Sequence, residues 1–559
     1  MRTSESLAIG RILGWTALLA TVMVMPWAAY DPINVPKLAV ISVGGFMALG
    51  ALLANRSALF KKQHRLVLIF GVAFIVQLTL VLVISGTNFY QEFFGTFGRA
   101  TGYLAYVALA SLLMVAAVTA NTFVLRRFSW TLLGAGLLSI VYGVLQALDL
   151  DPVNWVNKYS PVIGFLGNPN FQSSFVGFSG VLIFALLISN DVKPLYRAGY
   201  IVYLLVAAYV IYETKSQQGF LVLAGGIAIV VLMWISRSKF KVLSIPSLVL
   251  GLVGVVLVAI GSLNKGPLAF LLYKDSVTYR GDYWRAGWKM TVENPLFGVG
   301  LDSYGDWYRR ARTVEATLRR GPDVVSNAAH NVLLDFSSNG GFPLLIIYLF
   351  MMVLVFLAAT KVFKRTPGFD PIFAGLFAVW ISYQAQSIIS LNQLGLAVWG
   401  WIISGLIIGY EINTREAEIV EKQALKGKGA SALVNQKVKP ATALGAFLGL
   451  LVGIALVAPN LNAASKYKSG LESGDANIVQ NIANLWPQDA SRSAQVALIL
   501  MDNNLFEQAL VVVQDAKIKF PDSYDIWKAL ASLSNAPAAD VAEANAQLKR
   551  LDPHNPELK

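Results

Sequence analysis

The sequence predicts an all-α, polytopic membrane protein whose chain ends in a helical repeat module outside the membrane. Hydrophobic residues make up 56% of the 559 residues and charged residues only 14%, and the mean hydropathy is +0.57. These values lie outside the range of soluble globular chains. Apolar runs long enough to cross a hydrocarbon core of about 30 Å recur along the chain, and a polar, alanine-rich tail follows the last of them.

Thirteen apolar runs are candidates for membrane spans, so we expect a bundle of about 12–13 transmembrane helices. They cover residues 12–30, 38–54, 66–86, 103–125, 129–148, 172–190, 198–213, 218–236, 243–263, 341–360, 371–391, 395–411 and 441–459. The predicted domains are an N-terminal transmembrane bundle (1–263), a large outer loop (264–340), further spans (341–412), a basic linker (413–440), a last span (441–459) and the tail (460–559).

Positive residues in short loops predict the orientation, because lysine and arginine resist translocation. Alternate loops carry Arg56, Lys61, Lys62 and Arg65; Arg126 and Arg127; Lys193 and Arg197; Arg237, Lys239 and Lys241; Lys361, Lys364 and Arg365; and, in the basic linker, Lys422, Lys426, Lys428, Lys437 and Lys439. These loops are predicted to be cytoplasmic, and the large outer loop and the tail to be extracytoplasmic. The net charge of +13 then reflects topology and gives no case for nucleic acid.

The tail from residue 460 has the period of stacked helix pairs. Pro487, Pro521 and Pro553 recur at intervals of 34 and 32 residues, and a helical pattern lies between them. That period is typical of tetratricopeptide repeats. The tail is therefore interpreted as an outward-facing tetratricopeptide-like module that contacts a peptide, a protein partner or a polymer; the alternative is an arbitrary helical cap.

The large outer loop is too long to be a simple connector. Arg280, Arg285 and Lys289 recur there at helical spacing among tyrosines and tryptophans. Guanidinium groups bind phosphate, and aromatic faces bind sugar rings or lipid headgroups. The same composition also fits an amphipathic helix lying at the membrane interface.

His330 follows in the same loop, in the stretch "SNAAHNVLLDFSSNGGFP". A lone loop histidine is often a surface or capping residue. The chain has only two others, His64 in a predicted cytoplasmic loop and His554 near the C-terminal end. If the outer face needs a group that takes up a proton near neutral pH, His330 is the histidine placed for it. Asn331 is predicted either to bind an acceptor sugar or to cap the following helix.

These residues resemble the O-antigen ligase and polymerase superfamily of bacterial membrane glycosyltransferases. The resemblance rests on "RGDYW" at 280–284, "NPLFGVGLDSY" at 294–304, and His330–Asn331 followed by Gly341. Upstream, "FFGTFGRATGYLAY" at 93–106 is similar to the family's Gly-x3-Arg-x2-Gly stretch, which contains Arg99, and "GFLGNPNFQSSF" at 164–175 is similar to its Gly-Asn-Pro-Asn element. A tetratricopeptide tail also accompanies some members of the superfamily.

The resemblance implies a GT-C-like membrane transferase of the inverting, metal-independent kind, without a cofactor. It would take a glycan from an undecaprenyl-diphosphate carrier at the outer face of the cytoplasmic membrane and pass it to an acceptor hydroxyl. His330 would be the base, and Arg280 would hold the diphosphate. The family's arginine beyond the seventh span is replaced in "ETKSQQGF" by Gln217 and Gln218, so Lys215 is the candidate second anchor. The predicted substrate-binding residues are Lys215, Gln217, Gln218, Arg285, Asn331 and Arg99.

Asp302 and Asp306, four residues apart, are the strongest candidates for a metal site. Arginines and lysines crowd the same loop, so solvated ion pairs are the preferred interpretation and no metal is predicted.

Several functions remain open at this point. The acceptor is a growing polymer, a lipid or wall glycan, or a protein hydroxyl. A flippase for the same lipid-linked glycan is an alternative of another class, although it would place charges inside several spans. Expected partners are the lipid-linked glycan, the acceptor, membrane lipid and a protein bound by the tail.

Overall fold

A computed structural model describes residues 3–59, 61–155, 160–190, 192–415 and 437–558. Within these ranges the chain is 76% helical and contains no strand, so the predicted all-α membrane fold is confirmed. Most of the predicted basic linker, including Lys422, Lys426 and Lys428, lies outside the described residues.

Helices at all thirteen predicted positions form the membrane part, together with short helices in the loops. In chain order the helices are α1 (Thr3–Val22), α2 (Asn34–Leu53), α3 (Arg56–Leu59), α4 (Arg65–Ile84), α5 (Phe89–Phe94), α6 (Tyr103–Thr119), α7 (Thr122–Ala147), α8 (Pro169–Leu187), α9 (Pro194–Glu213), α10 (Gln217–Ser236), α11 (Ser244–Ser262), α12 (Ala269–Leu272), α13 (Asp275–Glu293), α14 (Tyr304–Ala311), α15 (Val314–Arg320), α16 (Val332–Arg365), α17 (Pro371–Ser387), α18 (Leu394–Asn413) and α19 (Pro440–Glu472). Eleven helices of the described chain are long and apolar enough to cross a membrane, and α6 and α17, each of 17 residues, lie at the two remaining predicted positions.

Helices α6 and α18 occupy the centre of the bundle, where nearly all their residues are buried. Trp399 of α18 is fully buried against the rings of Phe128 and Phe175, at centroid distances of 5.2 and 5.7 Å. In contrast, α11 exposes almost its whole apolar surface. Because hydrocarbon is as apolar as these side chains, α11 is suited to face lipid.

Helix α19 packs closely on α2 through a row of glycines. Gly445, Gly449 and Gly453 lie on one face at intervals of four residues. A Cβ at Gly449 would lie 2.1 Å from the carbonyl oxygen of Phe46. Small residues at this spacing let transmembrane backbones approach each other, so the glycine row joins the last span to the bundle.

Helix α16 contains a break where the sequence predicted a span to begin. The helix begins at Val332, nine residues before the predicted start of 341, and Gly341 interrupts it with φ of 75°. A Cβ there would lie 2.5 Å from the carbonyl of Leu296. The backbone amide of Phe342 donates to Pro295 O at 2.8 Å. The segment before the break therefore precedes the span proper. It lies at the end of the bundle that carries residues 264–340, which we call the outer end after its predicted orientation.

The tail folds as five short helices, α20 (Ala476–Ile482), α21 (Ala490–Asp502), α22 (Phe506–Lys519), α23 (Tyr524–Ser532) and α24 (Ala538–Leu551). Helices α21 and α23 begin 34 residues apart, at Ala490 and Tyr524. Side chains from α21 to α24 share one apolar core that includes Leu500, Val513 and Trp527. We call residues 476–558 the tail module.

Candidate active site

Three segments of the outer end meet around His330. Helix α13 carries Tyr279 and Arg280 on one turn and Tyr283 on the next. Helix α15 ends in Arg320, and His330 lies just before α16. The helical spacing on α13 places Tyr279 and Tyr283 on the same side of the helix. We call Arg280, Tyr283, Arg320 and His330 the outer cluster.

The backbone at His330 is held in an uncommon conformation. Its φ is 53°, in the left-handed region that side chains other than glycine seldom adopt. The preceding amide, Ala329 N, donates to Asp335 Oδ1 at 2.8 Å. Asn331 Oδ1 accepts from the amides of Leu333 and Leu334 at 3.0 and 3.2 Å. Asn331 is thus the N-cap of α16, which is the second of its two predicted roles. The cap fixes the start of the helix, directly after His330.

The imidazole of His330 is half-buried and stacks on Tyr283, with ring centroids 5.5 Å apart and an interplanar angle of 30°. Burial, together with the nearby guanidinium groups of Arg280, Arg99 and Arg320, lowers its pKa to about 4. No described residue hydrogen-bonds either ring nitrogen. His330 therefore holds a neutral ring at physiological pH, with a nitrogen lone pair available to accept a proton.

Arg280 and Arg320 supply positive charge without a carboxylate partner in the described chain. Burial lowers the pKa of Arg280. Arg320 donates to the hydroxyl of Tyr283, and its guanidinium lies 4.2 Å from the ring centroid of Tyr279. Two unpaired cations beside a neutral histidine form a site suited to an anion.

Arg285 has a different environment from the substrate-binding role predicted for it. Its Nη2 donates to Asp282 Oδ1 at 2.6 Å, and Arg319 pairs with the same buried carboxylate, also at 2.6 Å. The side chain of Arg285 is 63% exposed. The structure thus assigns Arg285 to an ion pair on the opposite side of α13 from Tyr283.

Arg99 is buried and supports the site from behind. Its Nε lies 3.3 Å from Asp302 Oδ1, and its Nη1 donates to the carbonyl of Asn327, three residues before His330. Asp302 also accepts from Thr96 N at 2.8 Å and from Thr101 Oγ1 at 3.0 Å. The buried guanidinium thus positions the segment that precedes His330, and the predicted substrate contact of Arg99 stays a prediction.

Lys215, Gln217 and Gln218 lie at the N-terminus of α10. The ammonium of Lys215 pairs with Glu213 at 3.1 Å, and Gln217 donates to the carbonyl of Leu271 at 2.6 Å. Gln218 is buried, with both polar side-chain atoms lacking a partner in the described chain. Lys215 and Gln217 thus bind neighbouring segments of the chain. None of the three residues contacts the outer cluster within the described residues.

Asp302 and Asp306 are buried, whereas solvated ion pairs were predicted for them. Asp302 is buried with Arg99. Asp306 accepts from Gln91 Nε2 at 2.5 Å, and burial raises the pKa of its carboxyl to about 6. Burying a carboxylate with amide or hydroxyl donors fixes the loop onto residues 91–101. Both side chains therefore serve the packing of the outer end.

Arg320 is the residue that sequence reasoning missed. It lies 40 residues from Arg280 in the chain, in an Arg-Arg pair before Gly321. Of the two, Arg319 pairs with Asp282 while Arg320 contacts Tyr279 and Tyr283. The spacing of the pair gave no way to tell which arginine faces the histidine.

Residues 202–349 match the family model described as O-antigen ligase. The match includes Arg280, Arg320 and His330, whereas the similar stretches at 93–106 and 164–175 and the tail module lie outside it. A comparison with curated proteins finds no match. The match over residues 202–349 supports the predicted O-antigen ligase superfamily, and the tetratricopeptide likeness of the tail stays a prediction.

Proposed function

We propose that this protein, a multi-pass membrane protein with an O-antigen ligase domain at residues 202–349, transfers a glycan from an undecaprenyl-diphosphate carrier to an acceptor hydroxyl. The observation that carries the proposal is the outer cluster, in which a neutral His330 lies beside two arginines without carboxylate partners. We propose that the reaction takes place at the outer face of the bacterial cytoplasmic membrane, an orientation supported by the basic loops at the opposite end of the bundle.

Each group of the outer cluster has a distinct role in this reaction. A nitrogen of His330 accepts the proton of the acceptor hydroxyl while the acceptor oxygen forms a bond to the anomeric carbon. The bond between that carbon and the diphosphate oxygen breaks, and its electron pair leaves with the carrier diphosphate. Arg280 and Arg320 bind the diphosphate and stabilise the charge that develops on it. Attack opposite the leaving group inverts the anomeric centre.

The low pKa of His330 suits a base that works only after the donor has bound. In the free protein the neighbouring cations disfavour protonation of the imidazole. A bound diphosphate offsets these cations, so the imidazole becomes more basic when both substrates are present. The two guanidinium groups also supply the positive charge that a divalent ion would otherwise bring to a diphosphate, and we therefore propose a metal-independent reaction.

The acceptor is proposed to be a glycan, which makes the protein a ligase or a polymerase. Transfer to a protein hydroxyl is a second candidate, favoured by the tail module, whose paired helices resemble those that bind peptides. A flippase is less well supported, because the unpaired cations gather at the outer end of the bundle and do not line a path through it.

Replacing His330 and Arg280 tests the proposal directly. In cells lacking the gene, His330→Ala should fail to restore the surface glycan, although the protein is made and inserted. Arg280→Lys should lose most activity, because an ammonium lacks the two-pronged geometry of guanidinium. Arg285→Lys, on the exposed side of the same helix, is the matched control and should restore the glycan.

The glycan profile separates the candidate functions. Accumulated single repeat units in the deletion strain indicate a polymerase, whereas free polymer with an unmodified acceptor indicates a ligase or a protein glycosyltransferase. Full restoration by His330→Ala would show that the histidine is not the base and would favour the flippase.

A further inference from the structure

A pocket at the outer end lies between the tail module and the membrane domain. It is lined by the segment after α1, by residues 94–100, by the outward end of α19 and by the beginning of α21. We call it the module pocket. No residue of the outer cluster lines it, so it is separate from the site of transfer.

Aromatic rings form one wall of the module pocket. Tyr30 and Phe97 are 38% and 39% exposed, with ring centroids 5.5 Å apart. Tyr467 of α19 is buried beneath Tyr30 and meets it edge-on at 4.8 Å. The backbone amide of Tyr30 donates to Ala464 O at 3.2 Å. The two exposed rings are thus supported by α19 and form an apolar surface.

Polar groups at the beginning of α21 also line the module pocket. Arg492 is 9% exposed; its Nη2 donates to the carbonyl of Pro487, but its Nε is buried without a partner in the described chain. Gln495 accepts from the hydroxyl of Tyr467 at 3.0 Å, which leaves its amide nitrogen available as a donor. Asp489 lines the pocket beside them. An unsatisfied buried donor is costly, and a bound polar group would satisfy it.

We propose that the module pocket binds a sugar residue of the glycan chain, away from the bond that is formed. A pyranose presents C–H groups on one face and hydroxyl groups around its edge, which matches exposed rings beside a guanidinium, an amide and a carboxylate. A phosphate is disfavoured because Asp31 and Asp489 add negative charge to the pocket. A lipid chain is disfavoured because it would leave these polar groups unsatisfied.

The wall of the module pocket is connected to the site of transfer. Thr96 lines the pocket, and its backbone amide donates to Asp302, which pairs with Arg99. Arg99 in turn holds the carbonyl of Asn327 near His330. A glycan seated in the pocket therefore contacts a segment whose other side positions the base. The inference rests on the proposed function in taking the glycan as the occupant.

Saturation-transfer NMR on the purified full-length protein tests the pocket. The probe is the oligosaccharide released by mild acid from the lipid carrier of the source cells. Wild type and His330→Ala should both transfer saturation to the sugar protons. Phe97→Ala, and separately Tyr30→Leu, should reduce the signal at least threefold. Trp27→Ala, a change of an exposed aromatic residue in the same outer segment that does not line the pocket, should leave it unchanged.

The outcomes separate this inference from the proposed function. Undiminished saturation transfer in both Phe97→Ala and Tyr30→Leu overturns the pocket, even if His330→Ala abolishes glycan transfer. Loss of signal in either variant, with the signal of Trp27→Ala unchanged, supports the pocket, even if His330→Ala keeps full activity and the proposed base is wrong. An equal loss in Trp27→Ala also overturns it. Because Phe97 is exposed at a loop tip, its replacement should leave the thermal unfolding temperature near that of the wild type.

Discussion

At the residue scale, the environment of His330 sets how activity depends on pH. The base must be neutral, so kcat/KM falls as the pH drops through the pKa of the free imidazole. Since that pKa is lowered from 6.5 to about 4, we expect kcat/KM to stay level from neutral pH to about pH 5. Arg320→Gln removes one nearby cation and should shift the acid limb upward by up to about one pH unit, alongside a loss of kcat.

The pH profile of transfer in proteoliposomes measures this shift. Arg285→Gln is the control, because Arg285 pairs with Asp282 and does not contribute to the lowered pKa of His330. An acid limb near pH 6.5 in the wild type would contradict the lowered pKa that burial gives His330. An equal shift in both variants would show that Arg320 has no special proximity to the ring.

Sequence reasoning selected single candidate residues by residue type and by resemblance, and their roles stay predictions. His330 was selected because of its scarcity and its predicted side of the membrane, and Arg280 because it resembled a family motif. The distinction between Arg320 and Arg285 depended on which side of a helix meets a buried carboxylate, Asp282. Such ion pairs can join segments that are far apart in the sequence, so residue spacing along the chain does not predict them.

At the scale of helices, the glycine row of α19 makes a testable prediction. Gly449→Leu forces a side chain against the backbone of α2, where a Cβ would already lie 2.1 Å from a carbonyl oxygen. We expect the helices to separate, with a destabilisation of about 1–3 kcal/mol or more. Gly254→Leu on α11 is the matched control, because nothing lies within 4 Å of a Cβ at that position.

Thermal unfolding of the detergent-solubilised variants measures this difference. The unfolding temperature should fall for Gly449→Leu and stay near the wild-type value for Gly254→Leu. Equal stability of the two would mean that α19 does not pack on α2 through its glycines.

The positions of the spans followed from hydropathy alone. The contact between α2 and α19, however, depends on glycine spacing across about 400 residues of chain, and the apolar pattern does not indicate which spans become neighbours.

At the scale of the whole molecule, the tail module and the outer loop form one packed unit. Arg309 and Arg312 of the loop both pair with Asp552 at the end of α24, at 3.3 and 2.6 Å. The same two arginines donate to the carbonyl of Pro322, in the segment between Arg320 and His330. The sequence predicted a separate module after the last span, and its docking onto the loop depends on charges 240 residues apart.

Asp552→Ala should therefore weaken both the docking of the module and catalysis. The carboxylate is fully buried, so its removal leaves two buried guanidinium groups without a counter-charge, a change that costs about 3–5 kcal/mol. The segment of Pro322 then loses its support, and kcat should fall more than KM rises, because His330 and Arg320 are displaced relative to each other. Asp522→Ala is the control: this half-exposed carboxylate also bridges two arginines, Arg310 and Arg550, but exposed pairs contribute only about 0–1 kcal/mol. Limited proteolysis between the last span and α20, together with transfer assays, measures both effects. If the protease cleaves the Asp552→Ala protein no faster than the wild type and the variant keeps its kcat, the tail module is independent of the active site.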